Sequence, residues 1–226
     1  FLDARSHELA RETGKPEVER VLANAPAKSC SVMAEFGYDD EAGLETTIER
    51  VLGHVAAAGG DEAAGLAGMD DQVLREKSVF GEAELELINA TIEERRLQHP
   101  TLHKIATDMA VEDKDLRWVY DLYTTRLTAA GLDHAVFGHA GNNHFHVNIL
   151  PKDDAELKKA KAIYAEFAAA IVARGGCVSA EHGIGRIKKH FLPVQYDAAT
   201  LDTMRAAKRW LDPAWRLNPG VLVDPA

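Results

Sequence analysis

The sequence has only two cysteines, Cys30 and Cys177, far apart and in no C-x-x-C pattern. That scarcity argues against a disulfide framework and a thiolate metal centre, and it fits a reducing, cytoplasmic setting. No run approaches the roughly 18 uninterrupted apolar residues that a membrane-spanning helix needs. Neither an initiator Met nor a signal-peptide pattern opens the chain at Phe1, so it reads as a piece of a longer polypeptide. Basic residues are in deficit, with 26 Lys and Arg against 36 Asp and Glu and a net charge of −10. Nucleic acid is therefore not an expected partner. There is no low-complexity tract and no fixed-period repeat.

What remains is a chain of 226 residues, 46% hydrophobic, long enough to bury a real core as a compact soluble body. Residues 1–28 are polar and broken by Gly14, Pro16 and Pro26, a lead-in with short helices; residues 29–226 are expected to form one domain. Val32, Ala34 and Phe36 recur at period two and predict a half-buried strand over Ser29–Tyr38, with Asp39-Asp40 capping the helix that follows. That helix carries Leu44, Ile48, Val51, Leu52 and Val55 and stops at Gly59-Gly60; Glu62–Met69 suggests a second strand. Asp70–His99 predicts an amphipathic helix ended by Pro100. A second strand–helix–strand unit then runs from Ile105–Val111 through a helix bearing Leu116, Val119, Tyr123 and Leu127. Helices are also predicted over about Asp154–Ala173 and Ala198–Leu211. Together these predict an α+β fold, a ferredoxin-like antiparallel sheet with helices packed mainly on one face.

The densest chemical signal is the run from Phe137 to Pro151, with His139, His144 and His146 inside eight residues. A two-residue loop at Asn142-Asn143 pairs His139 with His146 across a hairpin. Strand alternation then puts His144, His146 and Asn148 on one face and Phe145, Val147 and Ile149 on the other. Two imidazoles about 5 Å apart at Cβ can reach one divalent ion; the plain alternative is a set of ordinary histidines on an exposed strand. A second motif, Cys177 to Arg186, sets Glu181 and His182 between small residues and Gly183 and Gly185. Glu181 can add a carboxylate to the ion, and His182, directed elsewhere as its chain neighbour, can act as a general base. Gly183-Ile184-Gly185 lacks the third glycine of a dinucleotide fingerprint. Arg186, Lys188, Lys189 and His190 form either a positive pocket for an anionic ligand or a solvated face. A third motif, Trp210 to Gly220, is by itself a helix stop and an Asn-Pro-Gly turn.

In this order the three motifs resemble the C-terminal domain of the FAD-linked oxidase family, which includes D-lactate, D-2-hydroxyglutarate and glycolate dehydrogenases. The resemblance covers about Ser29 to the C-terminus, with Lys104 to Val111 in support. It implies that His139, His146 and Glu181 bind a divalent metal, zinc or manganese, and that His182 abstracts the substrate proton. It places Asn148 and Lys104 at the carboxylate and hydroxyl of a small anionic 2-hydroxyacid and Asn218 near FAD; a strand-edge lysine is the alternative for Lys104. Between the paired histidines many relatives read Asp-Gly-Asn, whereas this chain reads Asn142-Asn143-His144, which leaves His144 to contact substrate, ligate metal or close the turn. Near Phe80, where the family implies a substrate-clamping Arg, the chain has Gly81, with Arg75 nearby. The family's flavin-binding lobe, expected in cis or as a separate subunit, precedes this domain and is not in the sequence, so the chain alone is expected to be inactive. A homodimer and an electron-acceptor or peripheral membrane partner are compatible with this reading. The competing classes are a metal-dependent hydrolase, since two His and one Glu can hold zinc with an open position, and a non-catalytic scaffold.

Overall fold

The computed structural model describes residues 1–37, 40–60, 66, 68 and 70–225, with the side chain of Glu41 outside the description. It divides into two compact units, residues 1–93 and 94–226.

In the first unit, α1 (Ala4–Glu12) begins at Asp3, whose carboxylate accepts the N–H of Ser6, and α2 (Pro16–Val21) has proline in its first turn. α3 (Glu41–Ala57) starts from Asp40, which accepts the N–H of Gly43. The long α4 (Asp71–Arg96) buries Phe80, Ala83, Ile88 and Ile92. Arg20 of α2 pairs with Glu76 of α4 at 2.6 Å, and the His7 ring lies 5.8 Å from Phe80. The strand expected over residues 29–38 is corrected for the described residues: Ser31 makes one bridge to Leu2, and residues 32–37 form no ladder. Val32 is 71% exposed and Phe36 49%. Alternation specifies a strand only where a neighbouring strand and a covering layer use it, and here neither face is covered. Of the second expected strand, only residues 66 and 68 are described.

The second unit contains the whole β-α-β-β-α-β pattern, which the sequence reading had divided between residues 29–69 and 104–150. Its elements are β1 (Ile105–Ala106), β2 (Met109–Ala110), α5 (Leu116–Ala129), β3 (His134–His139), β4 (His144–Ile149), α6 (Asp154–Val172), α7 (Leu192–Gln195) and α8 (Ala198–Leu211). β1, β2 and β3 all pair antiparallel with β4, and Cys177 bridges antiparallel to Ala110, placing a fourth segment beyond β2. The fold is α+β with an antiparallel sheet, as expected. Tyr120 of α5 meets Phe145, and Tyr123 packs on Phe167 of α6 at 4.8 Å, so both helices lie on the apolar face of β4. No described helix is long and apolar enough to cross a membrane.

Two local corrections shape the site. The strand expected over Ile105–Val111 is interrupted at Thr107-Asp108, although β1 and β2 keep one register against β4. The hairpin loop has four residues: Ala140–Asn142 form a 3-10 turn, and Asn143 alone takes the left-handed conformation, at φ 54°. Its side chain donates to Asp113 and its carbonyl accepts the N–H of Val111, fixing the turn from outside the hairpin. Pairing therefore runs His139 with His144, Gly138 with Phe145 and Phe137 with His146, in place of His139 with His146. The shift is two residues, and because side chains alternate, every one stays on its predicted face.

Gly138 has φ 148°, and a Cβ there would stand 2.4 Å from the carbonyl oxygen of His144. Gly138→Ala is expected to cost about 1–3 kcal/mol by forcing β3 away from β4. Urea denaturation measures this; an unchanged midpoint would show that the hairpin opens freely.

Candidate active site

β4 is buried along its whole length, so its polar face is covered rather than open. His144, His146 and Asn148 lie on that face, and Thr107 and Asp108 sit opposite them in the gap between β1 and β2. At Thr107 the ladder is diverted: the N–H of Val147 donates to the Thr107 hydroxyl at 2.9 Å, leaving the Thr107 carbonyl to accept Nδ1–H of His146 at 2.7 Å. A carbonyl can only accept, so His146 carries its proton on Nδ1 and presents a lone pair at Nε2.

Asp108 is 1% exposed, and its two oxygens accept four hydrogen bonds. The donors are the N–H groups of Glu181 (3.0 Å) and His182 (3.1 Å), the Ser179 hydroxyl (2.7 Å) and the Lys188 ammonium. Burial raises this carboxyl's pKa, but these donors, Lys188 foremost, hold it far below the usual range. Asp108 thus fastens the Ser179–His182 loop over the polar face of β4. Because consecutive N–H groups converge on one carboxylate, the chain is curled there, and Glu181 and His182 approach the same pocket instead of diverging.

Four imidazoles surround the Glu181 carboxylate. Nε2 of His139 lies 3.3 Å and Nδ1 of His144 3.4 Å from Oε1; Nε2 of His146 lies 3.6 Å and Nε2 of His182 3.8 Å from Oε2. Burial pushes the Glu181 carboxyl up, and His144, His139 and His146 more than offset it, so the group stays ionised. Burial, then His146, pushes His144 down and favours its neutral form. Two atoms bound to one tetrahedral ion at about 2.1 Å each stand about 3.4 Å apart, so these separations suit co-ligands of a cation. Among the described residues, His146, Glu181 and His182 have ligating atoms within 4.8 Å of one another, as do Asp108, His144 and His146; His139 reaches Glu181 but joins neither group.

The remaining expected residues are placed as follows. Asn148 is 1% exposed, and both its amide nitrogen and its amide oxygen are buried without a hydrogen-bond partner. Lys104 is half-buried just before β1, in step with Ala106, which pairs with Asn148. Asn218 is exposed at φ 45°, in a turn held by Asp212, which accepts the N–H groups of Arg216 and Leu217. The N–H of Leu222 donates to the Gly185 carbonyl and ties that turn to the Glu181 motif. The basic cluster separates: Lys188 is buried on Asp108, Lys189 pairs with Asp224, and His190 packs on Phe191. Sequence reasoning assigned no role to Thr107, Asp108 or the Asp108–Lys188 pair. An Asp next to Met109 inside a predicted strand was the available signal, since such a residue needs a buried partner.

Residues 1–222 match the family model described as FAD linked oxidases, C-terminal domain. The chain belongs to this family. Among its relatives is an uncharacterized FAD-linked oxidoreductase from Mycobacterium tuberculosis, 38% identical over 103 residues, 45% of this chain and 22% of that protein. A mitochondrial D-lactate dehydrogenase [cytochrome] from Kluyveromyces lactis is 30% identical over 138 residues, 60% of this chain and 24% of the relative. A D-2-hydroxyglutarate dehydrogenase from Xanthomonas citri is 36% identical over 92 residues, 39% of this chain and 20% of the relative. The chain thus matches about a fifth to a quarter of the length of these FAD-linked oxidase relatives.

Proposed function

We propose that the chain is the substrate-and-metal half of a flavin-dependent dehydrogenase that oxidises a D-2-hydroxyacid, D-lactate-like in size, to the 2-oxoacid. The observation that carries this reading is the Glu181 carboxylate ringed by imidazoles in a member of the FAD-linked oxidase family. The lone pair fixed at Nε2 of His146 fits a divalent cation, zinc or manganese, held with His139 and Glu181. When bound, the cation supplies Lewis acidity at the substrate's 2-hydroxyl and the flavin supplies the hydride acceptor.

This chain's residues do the rest. His182, more than half exposed at the pocket and stacked 5.2 Å from His146, takes the hydroxyl proton at Nε2. Asn148 offers an unused amide N–H on the buried face, where leaving it unpaired costs about 1–3 kcal/mol, and a bound carboxylate would accept it. Lys104 adds positive charge on the same face, and the Asn218 turn faces the flavin. The flavin-binding lobe acts in cis or as a separate subunit.

The test is anaerobic flavin reduction in the flavin-containing assembly. D-lactate or another D-2-hydroxyacid should bleach the flavin, chelation should slow bleaching at least about 100-fold, and zinc or manganese should restore it. Bleaching indifferent to complete chelation would remove the metal from the reading. Ester hydrolysis by the metal-loaded chain without flavin would replace it with a hydrolase.

A further inference from the structure

We infer that His144 is a third imidazole donor to the cation at Glu181, binding through Nδ1 while Asp108 receives its Nε2–H. The inference rests on the cation reading above and adds a ligand from the hairpin position at which the turn sequence departs from the Asp-Gly-Asn pattern.

The His144 side chain is 3% exposed and lies between two carboxylates. Nε2 stands 3.3 Å from Asp108 Oδ1, and Nδ1 stands 3.4 Å from Glu181 Oε1. An imidazole that ligates a cation through one nitrogen keeps its N–H on the other, so one of these two carboxylates is the co-ligand side and the other the acceptor side.

The geometry decides which is which. Three of the four donors to Asp108, Lys188 among them, sit on Oδ2, so Oδ1, which accepts only the Glu181 N–H, has room for the His144 Nε2–H. Nε2 of His144 is buried without a completed hydrogen bond, 3.3 Å from Asp108 Oδ1. The Glu181 side is where His139 and His146 also direct nitrogen atoms. A carboxylate behind a metal-bound imidazole is the usual arrangement for fixing its tautomer. The site then holds His139, His144, His146 and Glu181, richer in nitrogen than the two-imidazole set read from the sequence.

Co2+ titration of the 226-residue chain tests this, followed by calorimetry, visible absorption and proton NMR of the Co2+-loaded protein in water. The folded chain should bind one Co2+ and show two hyperfine-shifted, solvent-shielded imidazole N–H resonances, from His146 against Thr107 and His144 against Asp108. His144→Asn should leave one such resonance, alter the visible spectrum and weaken Co2+ binding about 10–100-fold. A single shielded resonance in the unaltered chain, a measurement that needs no variant, would overturn the inference. So would a folded His144→Asn protein with unchanged affinity and spectrum, while loss of Co2+ in Glu181→Gln and His146→Ala would leave the two-imidazole reading standing. A folded, unaltered chain that binds no Co2+ would overturn both.

Discussion

Lys188→Met should cost about 3–5 kcal/mol of unfolding free energy, the scale for leaving a buried charge without its partner. Asp108 and Lys188 are both buried, and the ammonium is the one cation among the four donors to that carboxylate. Removing it leaves an anion held by neutral groups beneath the Glu181 loop. Urea denaturation provides the measurement, and a loss below about 1 kcal/mol would place the pair in the solvated class. Replacing both residues, as in Asp108→Asn with Lys188→Met, should recover part of the loss because no unpaired charge remains. The pH dependence has a definite sign. Folding lowers the Asp108 pKa, so its stabilisation is complete above the unfolded-state value of about 3.9 and fades as pH falls toward the folded value. In Lys188→Met the folded value rises toward the unfolded one, so the fading should begin at the same pH, end at a higher pH and be smaller in total.

His182→Ala should slow flavin reduction by a 2-hydroxyacid about 100- to 10,000-fold, the usual worth of a positioned general base. Co2+ or Zn2+ should still bind, because His182 lies farthest of the four imidazoles from Glu181, at 3.8 Å. Substrate should bind with little change, since Asn148 and Lys104 are untouched. Stopped-flow reduction with substrate titration separates the two effects: a fall in the limiting rate at nearly constant affinity is expected. Rapid reduction in the variant would remove His182 from the chemistry and leave the exposed His139 as the imidazole to examine.

Much of this architecture was legible locally. Asp40, Asp153 and Asp197 each cap a helix through the side chain, and α8 ends at Leu211 before Asp212-Pro213, as local sequence alone indicates. The chemical face of β4 was legible because alternation survives a two-residue error in register. The register itself was not, since Asn143 is held by Val111 and Asp113, some 30 residues away, and no local turn rule contains them. Alternation in Val32, Ala34 and Phe36 misled because period two states what a strand needs and not whether a sheet is there to meet it. Asp108 escaped notice because its role depends on Lys188, 80 positions later, and on backbone N–H groups of a loop whose path no motif encodes. The family motifs pointed to the imidazoles gathered around Glu181; the groups that hold them in place emerged from burial.

The carboxylate of Asp108 also decides how the loop above it can move. Its bonds to the Glu181 and His182 amides run from a surface segment into the sheet interior, and the Ala180 amide meets the Asp108 carbonyl as well. A loop tethered at three successive amides to one residue cannot loosen one peptide at a time; it lifts as a block or stays closed. Glu181 and His182 are therefore anchored through their backbones to the buried segment between β1 and β2, and the two side chains set out from one shared footing.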